Sequence, residues 1–465
     1  MAQSTPKSLR NLVIYEIYVR NHGRFGKFSD ISADLPRLRE MGIDVIWFMP
    51  IHPIGQLNKK GTLGCPYSIQ DYRQVNPAYG NQKEFRLMCE YAHALGLKVM
   101  IDVVYNHTAH DSVLVQEHPA WFHQDENGKP VTTVPEWSDV IDLRYDDPAL
   151  WDYLIETLKF WVGMGVDGFR CDVASVVPLA FWQQARAAVA EIKPDTIWLA
   201  ESVHTQFVLQ RRQHGLTAHA DGEIHTAFDL SYDYDIWPTW ERAVENPAAV
   251  PLYFSMLQYQ QGIYPAHTLK MRCVENHDQP RIMQPKMETK NATGIMRVEN
   301  HDQPRIMQRA PSRAQALAWT AFQAFNEGAF LIYAGQESEN RHTPSLFEED
   351  KVIWRDYSLQ GFLTKLCKLK KDPVQVEGDF RLITAEPALT AHWQAEHEGL
   401  YGAFNVAGVV DVMSTPLPAG QYLDLLSERE VTVREGKMMV PETAVILRYS
   451  GQLDTEAHRQ PALLL

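Results

Sequence analysis

Short apolar runs rich in β-branched residues alternate with amphipathic stretches of helical period from the start of the chain to Lys371. Such alternation predicts parallel strands, each followed by a helix that covers the sheet. Eight runs have the character of strands: 13–18, 45–49, 99–104, 168–172, 197–201, 228–232, 269–275 and 330–334. The predicted helices include 34–41, 82–95, 150–162, 181–191 and 312–325. We therefore expect an α/β protein built on a (β/α)8 TIM barrel.

Two segments depart from this alternation. Residues 107–147 follow the third strand and are rich in Pro, Trp and Asp, which predicts a small excursion domain over the cleft. Beyond residue 372 the pattern becomes short alternating runs between turn residues, at 389–393, 402–406, 421–424, 438–440 and 444–449. These runs predict a C-terminal antiparallel β-sandwich at 373–450. The barrel then comprises 1–106 and 148–372, and residues 451–465 are expected to form a loosely held tail.

Composition narrows the classes of partner. The formal net charge of −14 argues against a nucleic-acid partner, because binding to a phosphate backbone requires a concentrated basic surface. The five cysteines are widely spaced and include no Cys-x-x-Cys pair, which predicts buried thiols rather than a zinc or redox centre. The N-terminal residues lack the apolar run of a signal peptide, and no stretch has the length of a membrane span. We therefore expect a cytoplasmic protein without a membrane partner, whose oligomeric state the sequence leaves open.

Carboxylates follow three of the predicted strands, where barrel enzymes place their chemistry. They are Asp172, Glu201 and one of two equivalent aspartates, Asp278 or Asp302. Neighbouring strands can hold two carboxylates about 5–5.5 Å apart, the spacing that retaining glycosidases use. Arg170 lies two residues before Asp172, on the same side of the strand, and can keep that carboxylate ionised. Glu201 ends an apolar run, which favours the neutral form that a general acid needs.

The two aspartates belong to a decapeptide, ENHDQPRIMQ, that occurs at 275–284 and again at 299–308. The offset of 24 residues (299 − 275) is shorter than a βα unit, which usually takes about 30 or more, so only one copy can follow a barrel strand. The first copy follows the long extended run HTLKMRCV, whereas the second directly precedes the helix at 312–325. We favour the first copy, which makes 285–308 an insertion on the catalytic face. A tandem duplication without its own function remains the alternative.

The set of motifs resembles the α-amylase family of glycoside hydrolases, family 13, over nearly the whole chain. Single carboxylates at strand ends are more often helix caps or surface charges, so the resemblance depends on the ordered set. The segments that carry it are DVVYNH at 102–107, GFRCD at 168–172, the strand ending at Glu201, ENHD at 275–278, GAFLIYAGQE at 328–337 and PYSIQDY at 66–72.

The resemblance implies a role for each carboxylate. Asp172 corresponds to the nucleophile of the family and Glu201 to its general acid/base. Asp278, with Asp302 as the alternative, corresponds to the third acid, which stabilises the distorted transition state.

The resemblance also implies a set of residues that bind substrate. Tyr67 would form an aromatic platform under the sugar, and Arg170 would position the nucleophile. His107 and His277, with His301 as the alternative to His277, would bind sugar hydroxyls.

Departures from the family pattern concern metal and substrate. Many calcium-dependent α-amylases end their second region with Lys-His, whereas Val-Ala-Ser follows Asp172 here. This argues against calcium, although Asn106 and Asp142 could contribute oxygen ligands; no other cofactor is expected. Glu201-x-x-His204 resembles neopullulanases and cyclomaltodextrinases, which adds His204 to the substrate-binding candidates, and α-glucosidase-like members are also similar. Neopullulanases and cyclomaltodextrinases usually carry an N-terminal sheet domain, whereas the first strand here begins almost at once.

Three hypotheses follow. The leading one is a retaining hydrolase that cleaves α-1,4-glucosidic bonds, with α-1,6 bonds as a further option, in maltooligosaccharides or related α-glucans. The second is a transglycosylase or isomerase of the same family, which shares the acids and differs in the access of water. The third is a non-catalytic carbohydrate-binding relative, a class that generally loses one or more of the acids, whereas Asp172 and Glu201 are both present.

Overall fold

A closed barrel of eight parallel strands forms the core of the protein. The computed structural model describes residues 5–265, 267–277 and 310–463. The barrel strands, in spatial order, are β1 (Val13–Ile17), β2 (Val45–Phe48), β3 (Lys98–Val103), β6 (Gly168–Cys171), β7 (Ile197–Ala200), β8 (Leu230–Tyr232), β9 (Leu269–Arg272) and β10 (Ala329–Tyr333), which pairs back with β1. This confirms the TIM barrel predicted from the sequence.

Helices cover the outside of the barrel because each presents one apolar stripe. In the helix Gln82–Ala94, Phe85, Met88, Cys89 and Ala92 recur at helical spacing and are buried, and Asn81 caps the first turn by accepting from the Glu84 N–H at 3.1 Å. The helices are α1 (Val19–His22), α2 (Phe28–Met41), α3 (Gln82–Ala94), α4 (Val113–Glu117), α5 (Pro148–Gly163), α6 (Leu179–Ala190), α7 (Thr205–Gln213), α8 (Asp221–Ile224), α9 (Trp237–Glu245), α10 (Val250–Ile263), α11 (Arg313–Phe325), α12 (Gln360–Leu369) and α13 (Pro373–Glu377).

An excursion follows the third barrel strand. It contains β4 (His107–Ala109) and β5 (Val140–Asp142), which pair in antiparallel fashion with His107 opposite Asp142, and the short helix α4 between them. The excursion therefore begins and ends next to the strand end that carries the DVVYNH motif.

The C-terminal region is an antiparallel sheet domain. Four strands form its main sheet, β11 (Asp379–Thr384), β12 (Leu389–Gln394), β13 (Glu398–Phe404) and β18 (Ala444–Ser450), and two ribbons pair β14 (Val412–Ser414) with β17 (Lys437–Met439) and β15 (Gly420–Leu423) with β16 (Glu430–Val433). One face of the sheet packs on the barrel, where the Phe404 ring lies 5.4 Å from both Phe322 and Phe325 of α11. The other face shares a core with the ribbons, in which Leu447 packs with Met413.

The segment after Gly451 is bonded to its surroundings, which differs from the loosely held tail expected from its sequence. The Gln460 N–H donates to Ile383 of β11 at 2.7 Å, and the Leu463 N–H donates to Ser255 of α10 at 2.9 Å. Tyr259 of α10 donates to the Leu463 carbonyl. These hydrogen bonds involve backbone atoms and individual side chains, so no periodic pattern in the sequence predicts them.

Candidate active site

Arg170 of β6 is the centre of a cluster of buried charges inside the barrel. Its side chain is fully buried, and its Nη1 donates to Asp172 Oδ1 at 2.6 Å and to Asp102 Oδ1 at 3.1 Å. Its Nη2 lies 3.1 Å from Glu201 Oε2, and its Nε donates to the Tyr232 hydroxyl at 3.1 Å. One planar guanidinium therefore orients both carboxylates singled out from the sequence.

The two carboxylates lie one residue beyond their strands, because β6 ends at Cys171 and β7 at Ala200. Backbone pairing extends past those ends: the Glu201 N–H donates to the Cys171 carbonyl at 3.0 Å. Asp172 and Glu201 are 6% and 5% exposed, so both are largely removed from water. The sequence predicted both residues as the last residues of their strands. The backbone pairing that fixes their positions is present although the strands end one residue earlier.

Val173 connects the two carboxylates through its backbone. Its N–H donates to Glu201 Oε2 at 2.6 Å, and its φ of 35° and ψ of 43° lie in the left-handed region, which β-branched residues avoid. Such strain persists only where the surrounding structure imposes it, and it clusters at functional sites. Here the conformation directs an N–H donor at Glu201.

Three buried carboxylates surround Arg170. Asp102, Asp172 and Glu201 all contact its guanidinium. The guanidinium therefore lies between the two carboxylates that the sequence singled out and a third one on β3.

Tyr67 and His277 form one wall of the site. Their rings are stacked, with centroids 5.4 Å apart and planes 7° apart, and the Tyr67 hydroxyl contacts His277 Nε2 and donates to Asp102 Oδ2 at 3.1 Å. The other ring nitrogen of His277, Nδ1, contacts Glu16 of β1. The ring centroid of Trp47 in β2 lies 5.6 Å from that of His277, in an edge-to-face arrangement. The loop after β2 and the segment after β9 thus meet at the cluster.

The position of His277 bears on the repeated decapeptide. The barrel strand that pairs with both β8 and β10 is β9, which precedes the first copy, and Asn276 of that copy donates to the Tyr234 hydroxyl at 3.0 Å. The first copy therefore enters the site through the residues before its aspartate. Asp278, Asp302 and His301 lie outside the described residues.

His107 approaches the nucleophile candidate from the excursion. Its Nε2 lies 3.9 Å from Asp172 Oδ2, and its Nδ1 accepts from the Asn106 amide at 3.2 Å. The ring of Trp137 lies 5.4 Å away, at a tilt of 56°. His107 is thus held between the barrel and the excursion.

His204 lies against a tyrosine. Its ring stacks on Tyr234 at 5.3 Å, and its Nδ1 donates to the Tyr234 carbonyl at 2.9 Å. Burial lowers the pKa of His204, and the carbonyl only partly opposes this effect. The imidazole is therefore neutral near pH 7.

Four residues of the cluster were not singled out from the sequence. They are Glu16, Trp47, Asp102 and Tyr232, one on each of β1, β2, β3 and β8. Arg170 contacts three of them directly: Asp102 as described, and the rings of Trp47 and Tyr232, whose centroids lie 5.4 and 5.3 Å from its guanidinium carbon. A polar residue inside an apolar strand was the available signal for Glu16 and Asp102.

The carboxylate of Asp142, one of the two possible calcium ligands, is hydrogen-bonded within the excursion. Both Asp142 oxygens accept hydrogen bonds, from the Thr132 hydroxyl at 3.2 Å and from the Thr133 N–H at 2.8 Å. Asn106 directs its amide at His107. Within 5–265, 267–277 and 310–463, no group of three or more His, Cys, Asp or Glu side chains is arranged to hold a metal ion. Whether the enzyme depends on calcium stays a prediction.

A (β/α)8 barrel with a buried pair of carboxylates bridged by one arginine, at the carboxyl ends of its strands, is typical of enzymes that act on glycosidic bonds. Comparison with known families narrows this class. The alpha amylase catalytic domain matches residues 14–399, and the bacterial alpha amylase C-terminal domain matches residues 382–447. The chain belongs to the α-amylase family.

Solved structures resemble nearly the whole chain. An alpha-amylase from Lactobacillus plantarum is 38% identical with a TM-score of 0.87, over 95% of this chain and 100% of that one. A maltogenic alpha-amylase from Thermotoga neapolitana is 30% identical with a TM-score of 0.80, over 95% of this chain and 99% of that one.

The curated relatives are longer proteins. An alpha-1,4-glucan:maltose-1-phosphate maltosyltransferase from Rhodospirillum rubrum is 35% identical over 53% of this chain and 38% of its own length. A protein of the same name from Cereibacter sphaeroides is 33% identical over 48% of this chain and 40% of its own length. The chain thus spans about two fifths of these relatives. Among the residues that the structure describes, no helix is both long and apolar enough to cross a membrane.

Proposed function

We propose that the protein is a retaining hydrolase of α-1,4-linked gluco-oligosaccharides, with α-1,6 bonds as a further substrate. The observation that carries this proposal is the guanidinium of Arg170, which contacts Asp172 at 2.6 Å and Glu201 at 3.1 Å. A single planar group that reaches both carboxylates supports the retaining separation of about 5–5.5 Å over the inverting one of about 6.5–9.5 Å.

In the first half of the reaction, Asp172 is the nucleophile. Its carboxylate attacks the anomeric carbon while Glu201 gives its proton to the glycosidic oxygen, so that the C–O bond to the leaving sugar breaks and a glycosyl ester with Asp172 forms. The contacts of Arg170 and the nearby His107 support this role, because they hold the carboxylate of Asp172 in place.

In the second half, Glu201 acts as the base. Its carboxylate takes a proton from water, the oxygen attacks the anomeric carbon, and the ester with Asp172 breaks, which returns both groups to their starting states. The Val173 N–H, at 2.6 Å from Oε2, holds Glu201 in place for both steps.

Tyr67, His107 and His277 would bind the sugar that is attacked. Tyr67 and His277 present stacked rings beside Asp102, and His107 lies next to Asp172. By the family resemblance, Asp278, which directly follows His277 in the chain, would hydrogen-bond the same sugar. His204 would contact substrate through the ring face that Tyr234 leaves uncovered.

Transfer to a sugar acceptor is the second candidate, and the names of the curated maltosyltransferases favour it. The chemistry differs only in the second half, where a sugar hydroxyl replaces water. Incubation with maltotriose, and separately with maltose 1-phosphate and a glucan acceptor, distinguishes the two. Glucose and maltose indicate hydrolysis, whereas longer or rearranged glucosides indicate transfer or isomerisation.

Replacement of the nucleophile tests the proposal. Asp172→Asn should lower kcat on maltotriose by at least about a thousandfold, since it removes the group that forms the ester. Asp146→Asn is the matched control, because Asp146 has a side chain that is 77% exposed. Unchanged cleavage by Asp172→Asn would contradict the assignment. If the unaltered protein binds maltotriose but releases no smaller or longer sugar, the non-catalytic alternative is correct.

We further infer that the protein has no nucleic-acid partner, because its net charge is −14.

A further inference from the structure

A buried arginine connects the segment after Glu201 to the excursion. Arg211 belongs to α7, which begins four residues after Glu201, and it is only 7% exposed. Its Nε donates to the Thr217 carbonyl at 3.1 Å, which fixes the guanidinium at the end of the helix. Its Nη1 donates to the hydroxyl of Thr133 in the excursion at 3.3 Å. The next residue, Arg212, is 47% exposed and pairs with Glu223 on the outside.

The hydroxyl of Thr133 is hydrogen-bonded to both Arg211 and Asp142. Its hydroxyl donates to Asp142 Oδ2 at 2.5 Å while accepting from Arg211, and its N–H donates to the same oxygen at 2.8 Å. A hydroxyl can serve as acceptor and donor at once, so the three groups form a continuous relay. Asp142 is the residue opposite His107 in the β4–β5 pair. The relay therefore runs from α7 to β5, which pairs with β4, the strand whose first residue is His107.

An aromatic contact joins the same two segments. Phe207 lies four residues before Arg211, on the same face of α7, and its ring centroid is 6.5 Å from that of Trp137 in the excursion. The Arg211 guanidinium lies 5.8 Å from the Phe207 centroid. Trp137 in turn packs against His107 at 5.4 Å. Two independent contacts thus lead from α7 to His107.

The charges in this region balance each other. Burial lowers the pKa of Arg211, and the nearby Asp142 opposes that effect. A buried cation needs a compensating anion, and removal of one partner of such a pair leaves the other uncompensated. Arg211 and Asp142 therefore depend on one another although Thr133 lies between them.

We propose that Arg211 is a positioning residue of the active site, which through Thr133 and Asp142 fixes the excursion on α7 and so sets His107 against Asp172. This inference rests on the proposed function for its catalytic consequence. From the sequence, a calcium ion was considered beside Asp142. In the structure, the guanidinium of Arg211 supplies the positive charge in this region. The oxygens of Asp142 are used by Thr132 and Thr133, which does not fit a metal site at that residue.

Substitutions at both ends of the relay test the proposal. Arg211→Met keeps the apolar stem and removes the donors, and Thr133→Val removes the hydroxyl at nearly constant size. Each should lower kcat on maltotriose by about 10- to 100-fold at temperatures well below unfolding, because a displacement of about 1 Å at the reacting groups has that effect. The double variant should be little worse than either single one, because both break the same relay. Thr133→Ser should retain activity, and Arg212→Met is the matched control on α7.

Hydrogen exchange supplies a readout that does not depend on activity. In Arg211→Met, amides of 107–147 should exchange faster, whereas those of the C-terminal sheet should be unchanged. A lowered thermal midpoint with unchanged kcat would reduce Arg211 to a structural residue and overturn the proposal. Equal effects of Arg212→Met would do the same.

Addition and removal of calcium test whether a metal ion, rather than Arg211, holds the excursion. Chelation by EDTA followed by millimolar calcium chloride should leave the thermal midpoint and the exchange of 107–147 in the unaltered protein unchanged. If calcium raises that midpoint and slows exchange in 107–147, a metal holds the excursion and the proposal is wrong. If the unaltered protein acts on no glucan, the proposed function is wrong. The hydrogen exchange of 107–147 still decides whether the relay from Arg211 holds the excursion on α7.

Discussion

Arg170 illustrates how much a single residue organises when it is buried among carboxylates. Its guanidinium contacts Asp102, Asp172 and Glu201, and it lies over the rings of Trp47 and Tyr232. Only the contact with Asp172 follows from the sequence, since two residues in one strand share a side. The contact with Glu201 needs the register between β6 and β7, in which Arg170 lies opposite Leu199.

Val173 yields a prediction about backbone strain. In most positions glycine is less stable than alanine, because it loses more conformational freedom on folding. At a left-handed position the order should reverse, so we expect Val173→Gly to be more stable than Val173→Ala by about 1 kcal/mol. Both lose the two γ-methyl groups of valine, and glycine also loses the β-carbon, so a more stable glycine variant would reflect the backbone. Urea denaturation of the two variants measures the difference. The usual order, with alanine the more stable, would show that Val173 is not strained.

At the scale of elements, the arrangement of the strand ends explains why the sequence predicted much of the site. Parallel strands bring their carboxyl ends to one side, so residues far apart in the chain, such as Glu16 and His277, meet there. The apolar strands were located to within one or two residues, except that β9 ends at Arg272, three residues before the predicted end. Helix ends varied more, and α2 begins at Phe28, six residues before the predicted start. Its first turn includes Ser29 and Asp30, residues that sequence reading places in loops.

The duplicated decapeptide allows a prediction at this scale. Deletion of 285–308 joins the first copy directly to Arg309 and leaves β9, His277 and α11 intact. Because β9 already pairs with β8 and β10, we expect the shortened protein to fold and to remain active, with an altered preference for chain length. Circular dichroism and product analysis on maltooligosaccharides measure both properties. Loss of folding, together with inactivity of Asp302→Ala in the full chain and full activity of Asp278→Ala, would assign the strand to the second copy.

For the whole molecule, buried histidines predict the response to acid. Burial lowers the pKa of His52 and of His392 to about 4 and that of His225 to about 3. A histidine in the unfolded chain has a pKa of about 6.5, so below that pH the unfolded chain binds protons that the folded chain does not bind. Their contribution to stability is complete above pH 6.5 and is lost as pH falls toward 4, by about 2 kcal/mol per histidine at pH 5.

Urea unfolding between pH 8 and pH 5 checks this expectation. His392→Gln should show a smaller loss of stability over that range than the unaltered protein, because one of the three titrating groups is gone. His397→Gln is the control, since the side chain of His397 is 86% exposed. An equal slope for both variants would mean that His392 is not held neutral by burial.

The sequence by itself determined the barrel, the C-terminal sheet region and the family, because periodicity and short motifs are local properties of the chain. It also singled out Asp172 and Glu201 as members of one site, since a parallel barrel gathers its strand ends, and the family resemblance added Tyr67, His107 and His277, with His301 as the alternative to His277. Only the tertiary structure decided which copy of the decapeptide follows a barrel strand, how Arg170 divides its donors, and that Arg211 reaches Thr133 across the excursion. Those facts depend on strand register and on the docking of distant segments, and neither leaves a periodic trace in the order of residues.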